Sequence, residues 1–326
     1  MLPHRKEAAM TETTLQCSIH SSTRKLLAMK NDFKPLKTAV VHPVDAYSLT
    51  GAVASAKEGL IDPVLVGPRA KIEALAKQEG IDISSYAIIA TEHSHAAAAV
   101  AVQMARDGKV EALMKGKLHT DELMEAVIAK ETGLRTGRRM SHVFIMDVPN
   151  YPKPLFLTDA AINIHPTLME KKDIVQNAID LFRILGSSTP KVAILSAVET
   201  VTESIPSTLE AAALCKMADR GQITGGILDG PLAFDNAVSK ESATIKGITS
   251  DVAGDADILV VPDIESGNML YKESRFLTGC DGAGIVLGAR VPIILTSRAG
   301  NSEARQASSA LALVYTRNRE KLGIKP

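Results

Sequence analysis

The chain has 326 residues, with 37 Lys plus Arg against 37 Asp plus Glu, so no basic excess exists to neutralise a nucleic-acid backbone. Three cysteines, Cys17, Cys215 and Cys280, form no CxxC pair, and no apolar run approaches the ~20 residues that cross a bilayer; zinc ribbons, disulfide scaffolds and membrane helices are excluded. The expectation is a cytoplasmic protein of about two domains, without Trp and rich in Ala, Val, Ile and Leu, which favours helices layered on a parallel sheet.

Residues 1–30 are polar and aperiodic and read as a loosely ordered extension, with Met10 and Met29 as internal starts. From Thr38 an alternation begins: TAVVHP is a strand, Ser48–Glu58 a helix, and DPVLVGP a strand stopped by Gly67 and Pro68. An Ala-rich helix over Ser94–Arg106, a strand at Val110–Met114 and a helix over Asp121–Lys130 follow. KGKLHT links the last two, so Lys115, Lys117 and the helix N-terminus can converge on an anion or stand as a solvated Lys pair. GLRTGRRMSH then gathers Arg135, Arg138, Arg139, Ser141 and His142 around two glycines, either a phosphate cradle or a solvated turn.

Tyr151–Pro154, YPKP, is the expected domain crossing. Beyond it come a strand at Pro154–Leu157, a helix carrying Ile174, Ala178, Leu181 and Leu185 that stops at Gly186, and a strand at Val192–Leu195. Ser207 and Glu210 after Pro206 form a capping-box signature. ITGGILDG, ADILVVPD and VPIILTS complete the strands. Their ends hand over Thr158 and Asp159, Ser196, Asp229, Asp263, then Ser297 and Arg298; in a parallel sheet these share one edge. DIESGNMLYK reads as a binding loop with Ser266, Asn268 and Lys272, or as a plain turn. GCDGAG has the wrong order for a dinucleotide fingerprint, and His93 with His95 lacks a third ligand, so no metal is assigned.

Lys115–Thr120, GLRTGRRMSH, TDAAINIHP, GGILDGPLAFDNA, VPDIESGNMLYK and PIILTSRAG, in this order over roughly 36–320, resemble the phosphate acetyl/butyryltransferase family. The resemblance implies two three-layer α/β/α domains with a cleft between them, the isocitrate/isopropylmalate dehydrogenase-like fold: 31–152 plus 301–326, and 153–300. It implies a homodimer and the reaction of acyl-CoA with inorganic phosphate to give acyl phosphate and CoA, with CoA as a substrate and no metal or prosthetic group. Acetyl is placed ahead of butyryl or another short acyl group.

The same resemblance implies that Ser297 and Arg298 meet the acyl group and phosphate, and that a nearby carboxylate activates the CoA thiol. The acetyl branch has an Asp seven residues after the Ser, where Ala304 stands; the butyryl-like branch has an acid one place earlier, and the role is carried to Glu303. Lys115, Thr120, Arg135, Ser141, His142, Thr158, Asp159, Asn163, Asp229, Ser266, Asn268 and Lys272 are the expected phosphate and CoA contacts. A dehydrogenase of the same fold, or a non-catalytic acyl-CoA or acyl-phosphate binder, are the competing classes.

Overall fold

The computed structural model describes residues 21–186, 188–295, 302–319 and 321. The elements in chain order are α1 (Ser21–Met29), β1 (Leu36–Val41), α2 (Ala46–Lys57), β2 (Ile61–Gly67), α3 (Arg69–Gln78), β3 (Ala87–Ala90), α4 (Ser94–Arg106), β4 (Ala112–Lys115) and α5 (Thr120–Ile128). There follow β5 (Ser141–Asp147), β6 (Leu155–Thr158), α6 (Leu168–Ile184), β7 (Lys191–Leu195), α7 (Pro206–Asp219), β8 (Ile227–Leu232), α8 (Phe234–Val238) and α9 (Lys240–Ile245). The last are β9 (Ile258–Val260), α10 (Ile264–Leu277), β10 (Asp281–Leu287), β11 (Ile293–Ile294) and α11 (Ser302–Arg319).

The 11 strands form one sheet in the order β3-β2-β1-β4-β11-β10-β5-β6-β9-β7-β8. Strands β3, β2, β1, β4 and β11 are mutually parallel, and so are β6, β9, β7 and β8. Between these groups the pairings β11–β10, β10–β5 and β5–β6 are all antiparallel. Three reversals leave the two groups running in opposite directions, so the carboxyl ends of β4 and β11 lie on one edge and those of β6, β7 and β9 on the other. This corrects the expectation that Thr158, Ser196, Asp263 and the end of β11 share one edge. Asp229 is not at a strand end either, because β8 continues to Leu232.

Side chains alternate across the sheet, and the two faces are covered differently. On one face a single apolar core runs from Leu36 and Val40 of β1 through Ile285 of β10 and Ile145 of β5 to Ile258 of β9, under α1, α2, α6, α7 and α11. The other face carries two separate cores. One lies between α4, α5 and the first group of strands, around Val41, Leu113, Leu123 and Ile293. The second lies between α8, α9 and the β6–β9–β7 strands, around Leu157, Leu259, Ala237 and Ala243. The central β5–β10 pair is left between them, and a cleft opens there.

Local signals explain several boundaries. Asp45 caps α2 by accepting from the Ser48 N–H at 2.7 Å, and Thr167 with Glu170 forms the capping box of α6, which ends at Gly186 with φ +84°. The box expected at Ser207 and Glu210 does not form: Pro206 takes the first helical position, Ser207 Oγ bonds Ser196 Oγ at 2.8 Å, and Glu210 pairs with Lys171. DIESGNMLYK is helical rather than a loop, because Asp263 accepts from the Ser266 N–H at 2.8 Å and starts α10. Nor is all of 1–30 an extension, since α1 buries Leu26 in the core.

Candidate active site

The cleft floor is the antiparallel ladder that pairs Phe144 with Gly284 and Met146 with Gly282. Phe144 and the two glycines face the cleft, while Val143, Ile145 and Ile285 face the continuous core, to which Ala283 also belongs as it borders the cleft. A Cβ at Gly284 would come within 2.4 Å of His142 Cε1 and 2.9 Å of Phe144 Cδ1, so the rings of β5 occupy the space a larger residue would need. The resulting cavity is about 600 Å³. It runs from Leu295, just past β11, to Ala160 and Ala161, just past β6, with α10 along one side. The two opposed carboxyl edges thus meet across the central pair.

A second cavity of about 720 Å³ lies between α5 and residues 135–140. It shares Thr120 and Ala161 with the first. Thr120 opens α5, whose N-cap His119 supplies no side-chain acceptor, so the positive end of the helix points into the junction.

The expected contacts divide by burial. Thr120, Asn268 and Lys272 line the first cavity, and Thr120 and Arg135 the second. Among the described residues Arg135 and Lys272 form no ion pair, whereas Arg138 pairs with Asp180 and Arg139 with Glu170. Asn268 also donates to Ala160 O at 3.2 Å, tying α10 to the end of β6.

Ser141, His142, Thr158, Asp159, Asn163 and Lys115 are instead buried and line neither of these two cavities. Asn177 donates to Ser141 Oγ at 2.9 Å, and Thr158 Oγ1 to His142 O at 2.9 Å. Asp159 gathers the N–H groups of Ala161, Ile162 and Asn163 at 3.0–3.1 Å, which folds the chain after β6 into a tight turn. Burial raises its carboxyl above the usual range against those hydrogen bonds. Asn163 bridges Asp159, Met140 O and Arg139 Nε, so this turn holds the arginine segment. Lys115 Nζ is turned inward to Leu118 O at 3.0 Å. His142 is fully buried, its imidazole held down at about 4 by desolvation and therefore neutral at pH 7, within 3.4 Å of Leu295 O through Nε2.

Ser266 spends its hydroxyl on Asp263, and Asp229 lies on the edge strand β8, where it accepts from Gly230 N; neither lines either of these two cavities. Glu303 is exposed in the first turn of α11, beside Ala304, which does line the first cavity. Ser297 and Arg298 lie outside the described residues. Sequence reasoning missed Phe144, Tyr271, Gly282, Gly284, Leu295 and Ser308. One signal was present: the period-two glycines of DGAG before IVL mark a strand with one bare face. No group of three or more His, Cys, Asp or Glu side chains is placed to hold a metal ion among the described residues, and no helix among them is long and apolar enough to cross a membrane.

A glycine-floored cleft between opposed α/β groups, with a helix N-terminus and the cations Arg135 and Lys272 along its walls, makes this an α/β protein with a concave site of the kind that holds small molecules. A model of the family described as phosphate acetyl/butaryl transferase matches residues 89–313. The phosphate acetyltransferase of Rhizobium meliloti is 60% identical over 295 residues, covering 90% of this chain and 93% of that protein. The phosphate butyryltransferase of Clostridium acetobutylicum is 41% identical over 294 residues, covering 90% and 98%. The crystal structure of a branched-chain phosphotransacylase from Enterococcus faecalis V583 superposes with a TM-score of 0.75 at 28% identity, covering 87% of this chain and 100% of that one. The chain belongs to the phosphate acetyl/butyryltransferase family of enzymes, and the dehydrogenase-like α/β architecture expected for it is the one observed.

Proposed function

We propose that the chain is a phosphate acetyltransferase, converting acetyl-CoA and inorganic phosphate to acetyl phosphate and CoA. The observation that carries the acetyl assignment is the 60% identity to the Rhizobium meliloti acetyltransferase, against 41% to the Clostridium acetobutylicum butyryltransferase. The two adjoining cavities suit a long thiol substrate and a small anion meeting near Thr120.

In the forward direction a phosphate oxygen attacks the thioester carbonyl, the tetrahedral oxyanion collapses, and the C–S bond breaks to release the thiolate. In reverse a carboxylate takes the thiol proton, since a thiol near pKa ~8.5 is mostly protonated at neutral pH. Arg298 and Ser297 are assigned as donors to the oxyanion and to phosphate, and Glu303 as the base. Thr120, Arg135, Asn268 and Lys272 are assigned to CoA and phosphate. Proximity of the two substrates removes the need for a covalent acyl-enzyme, and Ser297 is a hydrogen-bonding partner rather than a nucleophile. We further assign the enzyme to the cytoplasm, as a homodimer that uses CoA as substrate and needs no prosthetic group.

The test is CoA release from acetyl-CoA with and without phosphate, in wild type and Arg298→Ala. Release is expected to depend on phosphate, and removal of the donor to lower kcat by about 10²–10³. A fully active Arg298→Ala variant removes Arg298 from the site.

A further inference from the structure

We propose that Phe144, clamped against Tyr271 above Gly284, is the wall that sets the length of acyl chain this cleft accepts. The proposal rests on the acyl-transfer reading and concerns a specificity residue, not one that takes part in the chemistry. Much of the cavity lining is either small or polar. Ala160, Ala161, Gly282 and Gly284 add no bulk, and Asn268 and Lys272 are polar. Phe276 also lines it but is 67% exposed to solvent. Phe144 is the rigid apolar side chain standing on the floor itself.

Its position is held from three directions. The Tyr271 ring of α10 stacks on it at a centroid distance of 3.7 Å and an interplanar angle of 13°. The buried His142 ring lies 4.1 Å away on the same strand, tilted by 48°. Gly284, its cross-strand partner, lets the ring lie down on β10, because a Cβ there would come within 2.9 Å of Phe144 Cδ1. A ring that swung aside for a longer chain would give up the Tyr271 stack and the His142 contact, and those contacts favour the ring where it stands. An acyl group lying on the bare backbone of Gly282 and Gly284 therefore ends at the Phe144 ring. In a fitted apolar pocket each methylene is worth a factor of about 10–200 in discrimination.

The experiment compares kcat/KM for acetyl-, propionyl- and butyryl-CoA at saturating phosphate in wild type, Phe144→Ala and Phe144→Leu. The butyryl-to-acetyl ratio is expected to rise by about ten-fold or more in Phe144→Ala and by less in Phe144→Leu. A ratio is read because general damage to the fold lowers both substrates and leaves it unmoved. A folded Phe144→Ala enzyme with the wild-type ratio overturns the proposal; where Phe144→Ala does not fold, Phe144→Leu decides by the same criterion. Wild-type enzyme that releases no CoA from any of the three overturns the acyl-transfer reading and the wall with it, whereas activity with an unchanged ratio overturns the wall alone.

Discussion

His142 is an imidazole sealed from water, with Nδ1 unpartnered among the described residues and only a long contact from Nε2 to Leu295 O. Burial disfavours its charged form and holds it at about 4, below the ordinary 6.5. In the unfolded chain the same group takes a proton as the pH falls through 6.5, while the folded chain refuses it until about 4. The stability it contributes is therefore intact above pH 6.5 and lost between 6.5 and 4, by about 3 kcal/mol at about 1.4 kcal/mol per pH unit. His142→Gln, which does not titrate, is expected to lose correspondingly less stability on acidification. Denaturant midpoints of the two proteins from pH 8 to pH 4.5 check this, and parallel curves would remove His142 from the account.

At the scale of the element, the β4–α5 turn lies flat on the end of β1: the N–H groups of Gly116 and Lys117 donate to Val41 O and His42 O, each at 2.9 Å. A Cβ at 116 would stand 2.3 Å from Val41 O and 2.7 Å from His42 O, both backbone atoms that cannot swing away. Gly116→Ala is expected to cost about 1–3 kcal/mol and to lower kcat/KM, because the turn leads directly to Thr120. Gly137→Ala, whose Cβ would meet nothing within 4 Å, is the control and leaves the melting temperature unchanged. Motifs such as KGKLHT were legible because they interrupt apolar strands with charge and glycine, and β1, β2 and β4 because their largely buried apolar runs are bounded by turn signals. The cleft floor was not. β10 opens with DGAG, whose glycines carry no apolar signal because the rings of β5 occupy their space, and β5 follows directly on an arginine run that reads as a turn. Phe144 and Tyr271 look like ordinary core residues until the fold stacks them. Strand direction, which decides whether two carboxyl edges coincide or oppose, depends on distant pairings and leaves no local trace.

Across the whole molecule, one helix joins the parts that the antiparallel pair separates. α11 buries Leu311, Leu313 and Tyr315 in the continuous core, together with Ala307, Ala310 and Ala312, and Val314 is fully buried as well. Its polar contacts reach in several directions. Arg305 lies over the Tyr47 ring of α2 at 4.6 Å, Ser308 Oγ accepts from Gly284 N of β10 at 3.0 Å, and Asn318 donates to Ile184 O of α6 at 3.3 Å. Arg317 closes the far end in a two-pronged pair with Glu111, holding that carboxyl below its usual range. Burying large apolar side chains at about 1.5–3 kcal/mol each makes the helix comparable in worth to the entire net stability of a domain, about 5–15 kcal/mol. Ala304 and Ser308 also line the first cavity, so the helix that completes the core supplies part of the cleft. A chain ending at Asn301 is therefore expected to lose both together, with no cooperative thermal transition by circular dichroism, strong binding of a hydrophobic dye and no phosphate-dependent CoA release. If the truncated chain melts cooperatively near the wild-type temperature, the core on that face closes without α11, and the helix serves the cleft alone.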